Sequence, residues 1–329
     1  MFSFYTLKST ILVPVFGIQL IFLGFLLSTA PVFGDSVAEL KEKYEEIEEQ
    51  LIENTYDIPV YMESNNDENL MSGKVYGIIY HPFNKVSHAL SSVTNACEIM
   101  PQHLNIKACT YEYKNNKCRL TFYSGRKFYQ KADDVQRLNY IFNVTELNDK
   151  YFTVTLNTNE EPFDSENSSI AVAAIPLTDS STFFYLTYKY QYGFFMHLAM
   201  STYLSTFGRN KIGFSIIDTD ENNNPIYSGG IRGVIERNVM RYYFAIKSYL
   251  DTQSVEKDKR FESRINYWFD LTEKHHKQLY EMDKADYLKF KRREYQDQLR
   301  LQEVVNESIK IDKKNKSIPN INGLCVSKG

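Results

Sequence analysis

Between Lys107 and Tyr192 apolar and polar residues alternate with a period of two, and between Arg232 and Leu250 the period becomes that of a helix. The alternating segments are Lys107–Tyr113, Lys117–Tyr129, Leu138–Glu146, Tyr151–Asn157, Ile170–Leu177 and Thr182–Tyr192. Phe152, Val154 and Leu156 alternate with Thr153 and Thr155, so that strand buries one face and wets the other. In the last segment Phe184, Leu186, Tyr188, Tyr190 and Tyr192 share one face. Turn-forming residues at Lys114–Asn116 and Leu147–Lys150 join neighbours as hairpins, which makes the sheet antiparallel. A curved sheet cannot bury its concave face alone. Arg232–Leu250, with Val234, Ile235, Tyr242, Ile246 and Tyr249 on one side, is long enough to lie across it and close a core or leave a cavity.

Upstream, Val37, Leu40, Tyr44, Ile47 and Leu51 recur every three or four residues in Ser36–Asn54, an amphipathic helix. Ile58–Glu63 and Val75–Tyr80 read as strands separated by a polar turn over Ser64–Asn69, followed by short helices over Lys85–Leu90 and Asn95–Met100. Phe194–Phe207 reads as a helix, and Gly213–Asp218 with Ile226–Gly230 as a hairpin. Asp258–Val305 is highly charged and helical, anchored by Phe261, Ile265, Trp268, Leu279, Leu288 and Tyr295. The organisation expected is an export signal over 1–34, an amphipathic helix over 35–56, the sheet domain over 57–252, a helical extension over 253–305 and a flexible tail over 306–329.

The export reading rests on Lys8 as the only charged side chain before Asp35, on the apolar run Ile11–Leu27, and on Val32-Phe33-Gly34 after Pro31 as a cleavage site. The run is also long enough for an uncleaved anchor. Export predicts a periplasmic or secreted protein. Four cysteines in an oxidising compartment then predict one or two disulfides. If Lys114–Lys117 turns the chain, Cys118 sits opposite Tyr113, too far from Cys109 for a bond, so Cys97–Cys109 is the expected pair. Cys118 and Cys325 are left free or joined to each other.

The element order of strand, two short helices, antiparallel strands and one long helix over Val75–Leu250 resembles the START-like helix-grip (SRPBCC-type) fold of lipid carriers, plant allergens and polyketide cyclases. A narrower resemblance, to uncharacterised exported bacterial proteins with START-like domains, is carried by several segments. They are Cys97 with His103-Leu104-Asn105 and Lys107-Ala108-Cys109, Gly125-Arg126-Lys127 with Tyr129-Gln130, Gly208-Arg209, Gly213-Phe214, and Glu236-Arg237-Asn238 with Met240-Arg241-Tyr242-Tyr243. The resemblance implies an α+β fold, a curved sheet of six or seven strands gripped by a long helix, and an apolar ligand. It implies no reaction.

Aromatic residues reach 15%, with Tyr 25 and Phe 22, which suits both a β-rich core and an apolar pocket. The net charge of −3 gives no basic bias towards nucleic acid. No G-x-S-x-G, phosphate-binding glycine loop, CxxC or zinc spacing occurs, so no catalytic residue, metal or cofactor is expected. The expected partner is a hydrophobic small molecule or lipid, with transient contact of the charged C-terminal helix with a membrane surface. Candidate cavity residues are Arg126, Tyr188, Tyr190, Glu236, Arg237, Arg241 and His103. An inward Arg would grip an anionic headgroup, and a neutral His103 would serve as base or donor at a mouth. Two alternatives stand beside a lipid binder. One is an enzyme of the cyclase or hydrolase kind using His103, Arg126 and Glu236. The other is a secreted interaction protein with a filled core, docking a partner through an exposed stripe on Phe261–Leu299.

Overall fold

The alternating segments pair as successive hairpins. Strands β1 (Val60–Asp67), β2 (Leu70–Ile79), β3 (Ile106–Lys114), β4 (Lys117–Ser124), β5 (Gln136–Leu147), β6 (Phe152–Thr158), β7 (Glu166–Thr178) and β8 (Ser181–Gln191) form one sheet of eight in the order β1-β2-β8-β7-β6-β5-β4-β3. Every pairing is antiparallel. The computed structural model describes residues 36–67, 70–114, 117–158, 166–191, 201–202, 204–206 and 208–314. The expected signal over 1–34, most of the helix expected over 194–207, Tyr192 and Cys325 lie outside them.

The sheet has eight strands rather than six or seven because β1 adds to its edge by pairing with β2, and Ser64–Asp67, read as a polar turn, lengthens that strand. Helices α2 (Phe83–Leu90) and α3 (Val93–Ile99), with a 3-10 turn at Met100–Gln102, fall between β2 and β3. A small hairpin of β9 (Ile216–Thr219) and β10 (Pro225–Tyr227) precedes the long helix α4 (Gly230–Asp251). Gly73 on β2 lets α4 lie close: a Cβ there would meet Ile235 and Val239 side chains at 3.1 Å. On this face Val75, Val154, Val172, Phe184 and Leu186 form one core with Val239, Met240, Tyr243 and Ile246 of α4. On the other face Tyr76, Phe183 and Tyr185 pack beneath Leu40, Ile47 and Leu51 of α1 (Val37–Ile52), which Ser36 caps by accepting from the Glu39 N–H.

The alternation read through Tyr129 stops earlier. β4 ends at Ser124 because the Gly125 N–H turns to the Asn105 carbonyl at 2.8 Å, and the Gln130 side chain accepts from the Arg126 N–H at 2.6 Å. Arg126 and Lys127 therefore belong to a loop. The charged C-terminal segment is three helices, α5 (Arg260–Glu273), α6 (His276–Leu279) and α7 (Lys284–Lys314), and α7 continues past the boundary at 305. Among the described residues no helix is long and apolar enough to cross a membrane.

Phe261 stacks on Tyr295 with ring centroids 4.0 Å apart, and Trp268 stacks on Tyr287 at 4.9 Å. The stripe proposed for partner docking is thus largely spent on the molecule itself. The polar side of α7 does something the apolar anchors did not announce, because β3 is a sheet edge. Gln298 accepts from the Cys109 N–H at 2.8 Å and donates to the Cys97 carbonyl at 3.0 Å. Gln302 accepts from the Tyr111 N–H at 2.9 Å and donates to the Tyr111 carbonyl at 3.0 Å. Two amides one helical turn apart replace a missing ninth strand and shield the edge from another chain. The expected Cys97–Cys109 disulfide is present beside them, with Cα atoms 5.0 Å apart. Cys118 is buried and also disulfide-bonded.

Candidate functional site

Strand register builds the floor of the grip. Phe142, Leu156, Ile170 and Tyr188 form one cross-strand row, and Val144, Val154, Val172 and Leu186 the next. Over these rows the short helices contribute Leu90, Ala96, Ile99 and Met100, and α4 contributes Tyr242 and Ile246. The space left between them is about 40 Å³, and among the described lining residues Tyr242 alone carries a side-chain oxygen or nitrogen. Tyr188 meets Tyr242 edge to face at 5.8 Å and lies 5.4 Å from the Tyr190 ring, so the tyrosine face of β8 packs against the helix beside the cavity. His103 stacks on the far ring partner, Tyr242, at 4.6 Å, and its Nδ1 accepts from the Asn105 N–H at 3.2 Å. Burial first, and then the cations Arg241, Lys291 and Lys127, hold the His103 imidazole well below its ordinary value, so the ring is neutral.

None of the charged candidates lines this cavity. Glu236 is fully buried and clamps the segment ahead of α4. It accepts from the Phe214 N–H at 2.7 Å, the Ser215 N–H at 2.9 Å, Ser228 Oγ at 2.6 Å and Ser64 Oγ at 2.5 Å, and pairs with Arg232 at 3.1 Å. Burial works to raise its carboxyl, but these bonds prevail and hold it below the ordinary value. Gly213 makes the clamp possible, since a Cβ there would fall 2.3 Å from Glu236 Oε2. Arg237 donates to the Ile212 carbonyl at 3.0 Å. Arg126 is exposed, its guanidinium 6.0 Å from the Phe128 ring centroid.

Arg241 donates to the Leu279 carbonyl and pairs with Glu281 at 2.9 Å. The same carboxylate takes Lys127 at 2.6 Å and Lys211 at 2.5 Å. Lys127, not its neighbour Arg126, is the inward cation of that loop. Burial pushes the Lys127 amine down to about 8. Glu281, despite burial that works to raise it, is held down to about 2 by Arg241, Lys127 and Lys211. His103, Arg126 and Glu236 thus serve three separate neighbourhoods, which removes the convergence an acid–base site needs. His275 is half-buried and stacks on Phe244 at 5.4 Å. Among the described residues no three His, Cys, Asp or Glu side chains are grouped to hold a metal.

The fold is a START-like helix grip. The order β2-β8-β7-β6-β5-β4-β3, the two short helices after β2 and the long helix after β8 define it. No family model matches this chain, and no curated protein matches it. Among solved structures, a conserved protein from Geobacillus kaustophilus is similar at 12% identity over 55% of this chain and 95% of its own, with a TM-score of 0.33. A conserved protein of unknown function from Enterococcus faecalis is similar at 10% identity over 64% and 91%, with a TM-score of 0.31. Human StAR-related lipid transfer protein 5 is similar at 12% identity over 53% and 89%, with a TM-score of 0.28.

None of the seven candidate cavity residues is among those that line the space under α4, and the sequence reading passed over Glu281, Lys291 and Glu294. The i, i+3 pair Lys291 and Glu294 on an otherwise solvated-looking helix was the available signal.

Proposed function

We propose that the protein binds a hydrophobic, lipid-like ligand in the grip between the sheet and α4, and that it works outside the cytoplasm. The observation that carries the reading is the apolar wall of the space under α4, in a molecule whose buried charged candidates Glu236, Arg237 and Arg241 are engaged elsewhere. Its volume of about 40 Å³ constrains the mode of binding. Pockets for drug-sized ligands run to roughly 300–1,000 Å³, so an acyl chain must push Tyr242 or the α3 segment off the sheet as it enters. Each methylene buried there is worth about 0.8 kcal/mol to set against that displacement. The Cys97–Cys109 bridge supports an oxidising compartment.

The test is titration of the full chain with the neutral fluorophore phenylnaphthylamine, competed by palmitate, against Val172→Phe, which fills the floor of the cavity. We expect saturable enhancement in the native protein and its loss in the variant, with near-ultraviolet circular dichroism showing that the variant is folded. Equal enhancement in both proteins, or none in either, contradicts the reading. The small volume favours a second reading, an interaction protein with a filled core, and that is where a null titration leads.

A further inference from the structure

A second cavity, of about 150 Å³, lies away from the grip, where α3 and the Met100–Gln102 turn face α5 and α7. Its charged lining is Lys257, Arg260, Arg264 and Lys291 against Glu98 and Glu294, an excess of two positive charges. Both carboxylates are already committed. Glu98 pairs with Arg264 at 2.8 Å. Glu294 sits between Lys107 at 3.0 Å and Lys291 at 2.7 Å, all three side chains almost fully buried. One carboxylate therefore faces two buried amines, and two of the three, Lys291 and Glu294, line the cavity. Burial depresses the Lys291 amine, and burial with the neighbouring Lys291 pushes that of Lys107 down to about 8, while Glu294 works to raise both.

The cations also have donors to spare. Arg264 is 4% exposed, rests over the Tyr249 ring at 4.4 Å, makes its single hydrogen bond to Glu98, and leaves Nε without an acceptor. Arg260 donates from Nε to the Val255 carbonyl at 2.8 Å, and among the described residues its terminal amino groups donate no hydrogen bond. A buried guanidinium with open donors is costly unless an anion completes it. Among the uncharged lining, Phe261, Ile265 and Pro101 give an apolar patch beside Gln102, Tyr295 and Gln298. A cavity of this volume accommodates a body about the size of benzene.

We infer that this cavity binds a small organic monocarboxylate, its carboxylate held by Arg260 and Arg264 and its apolar body laid against Phe261 and Ile265. The apolar wall selects such a molecule over a free phosphate, which would leave that wall wet. The site is closed by the C-terminal extension, and α3 with the turn after it lies between it and the grip.

Benzoate titration of the full isotope-labelled chain, followed by amide chemical shifts, tests it. We expect saturable shifts at residues 97–102, 257–265 and 291–298. Benzyl alcohol, which keeps the ring and loses the charge, binds about tenfold or more weakly, and Arg264→Gln and Arg260→Gln each weaken benzoate by a similar factor. Arg260 is only half-buried, so Arg260→Gln decides the question if Arg264→Gln fails to fold. Equal binding of benzyl alcohol, indifference to Arg260→Gln, shifts confined to the grip residues, or inorganic phosphate competing as well as benzoate itself would each overturn the inference.

Discussion

Glu281 gathers Arg241 from α4, Lys127 from the loop after β4 and Lys211 from the segment before β9 onto a carboxylate only 6% exposed. Its folded value near 2 lies below the ordinary 4.5, so its contribution to stability is complete above about 4.5 and is lost as pH falls towards 2. The shift corresponds to roughly 3 kcal/mol at neutral pH. Urea denaturation should show stability falling across that acid window, with Glu281→Gln removing part of the slope. At neutral pH the variant should be less stable by roughly 3 kcal/mol or more, since three cations lose their counter-charge. An unchanged midpoint would mean that the cluster is solvated. This site was illegible in the sequence because its members come from four segments. Reading the strand through Tyr129 also put Arg126 and Lys127 on opposite sheet faces, when neither is in the sheet. Glu236 shows the complementary case: its inward direction was anticipated, but nothing in the helix period reveals that the Phe214 and Ser215 N–H groups await it.

At the scale of elements, period-two and period-3.6 patterns located β5 to β8 and α4 well, because one face of each is buried against a single partner. They failed on α7, whose working face is polar. An edge strand offers backbone groups rather than side chains, so the stripe that docks on it is Gln298 and Gln302 with Lys291 and Glu294. To a hydrophobicity pattern that stripe looks like solvated surface. Hydrogen exchange tests the docking. In Gln298→Leu with Gln302→Leu, the Cys109 and Tyr111 amides lose their acceptors and should exchange faster, with a stability cost of about 1–3 kcal/mol for each orphaned group. Unchanged protection of those two amides would show that α7 does not hold the edge.

Across the whole molecule, the Cys97–Cys109 bridge fastens α3, a wall of both cavities, to the edge strand over a separation of 12 residues. Replacing both cysteines with alanine should lower stability by about 3 kcal/mol, read as a shift of the urea midpoint at unchanged slope. No shift would mean that the packing of α3 suffices. The sheet, the grip helix and this bridge were legible because each follows from local pattern. The closeness of the packing was not, because alternation says which face is inward and not how much space that face leaves. The most direct test of the grip as a binding site is native mass spectrometry of the full chain, recovered from bacterial cells, before and after organic extraction. We expect a co-purifying hydrophobic species of defined mass that extraction removes and that Val172→Phe does not carry. A clean apo mass, unchanged after incubation with membrane lipids, would contradict ligand binding in the grip.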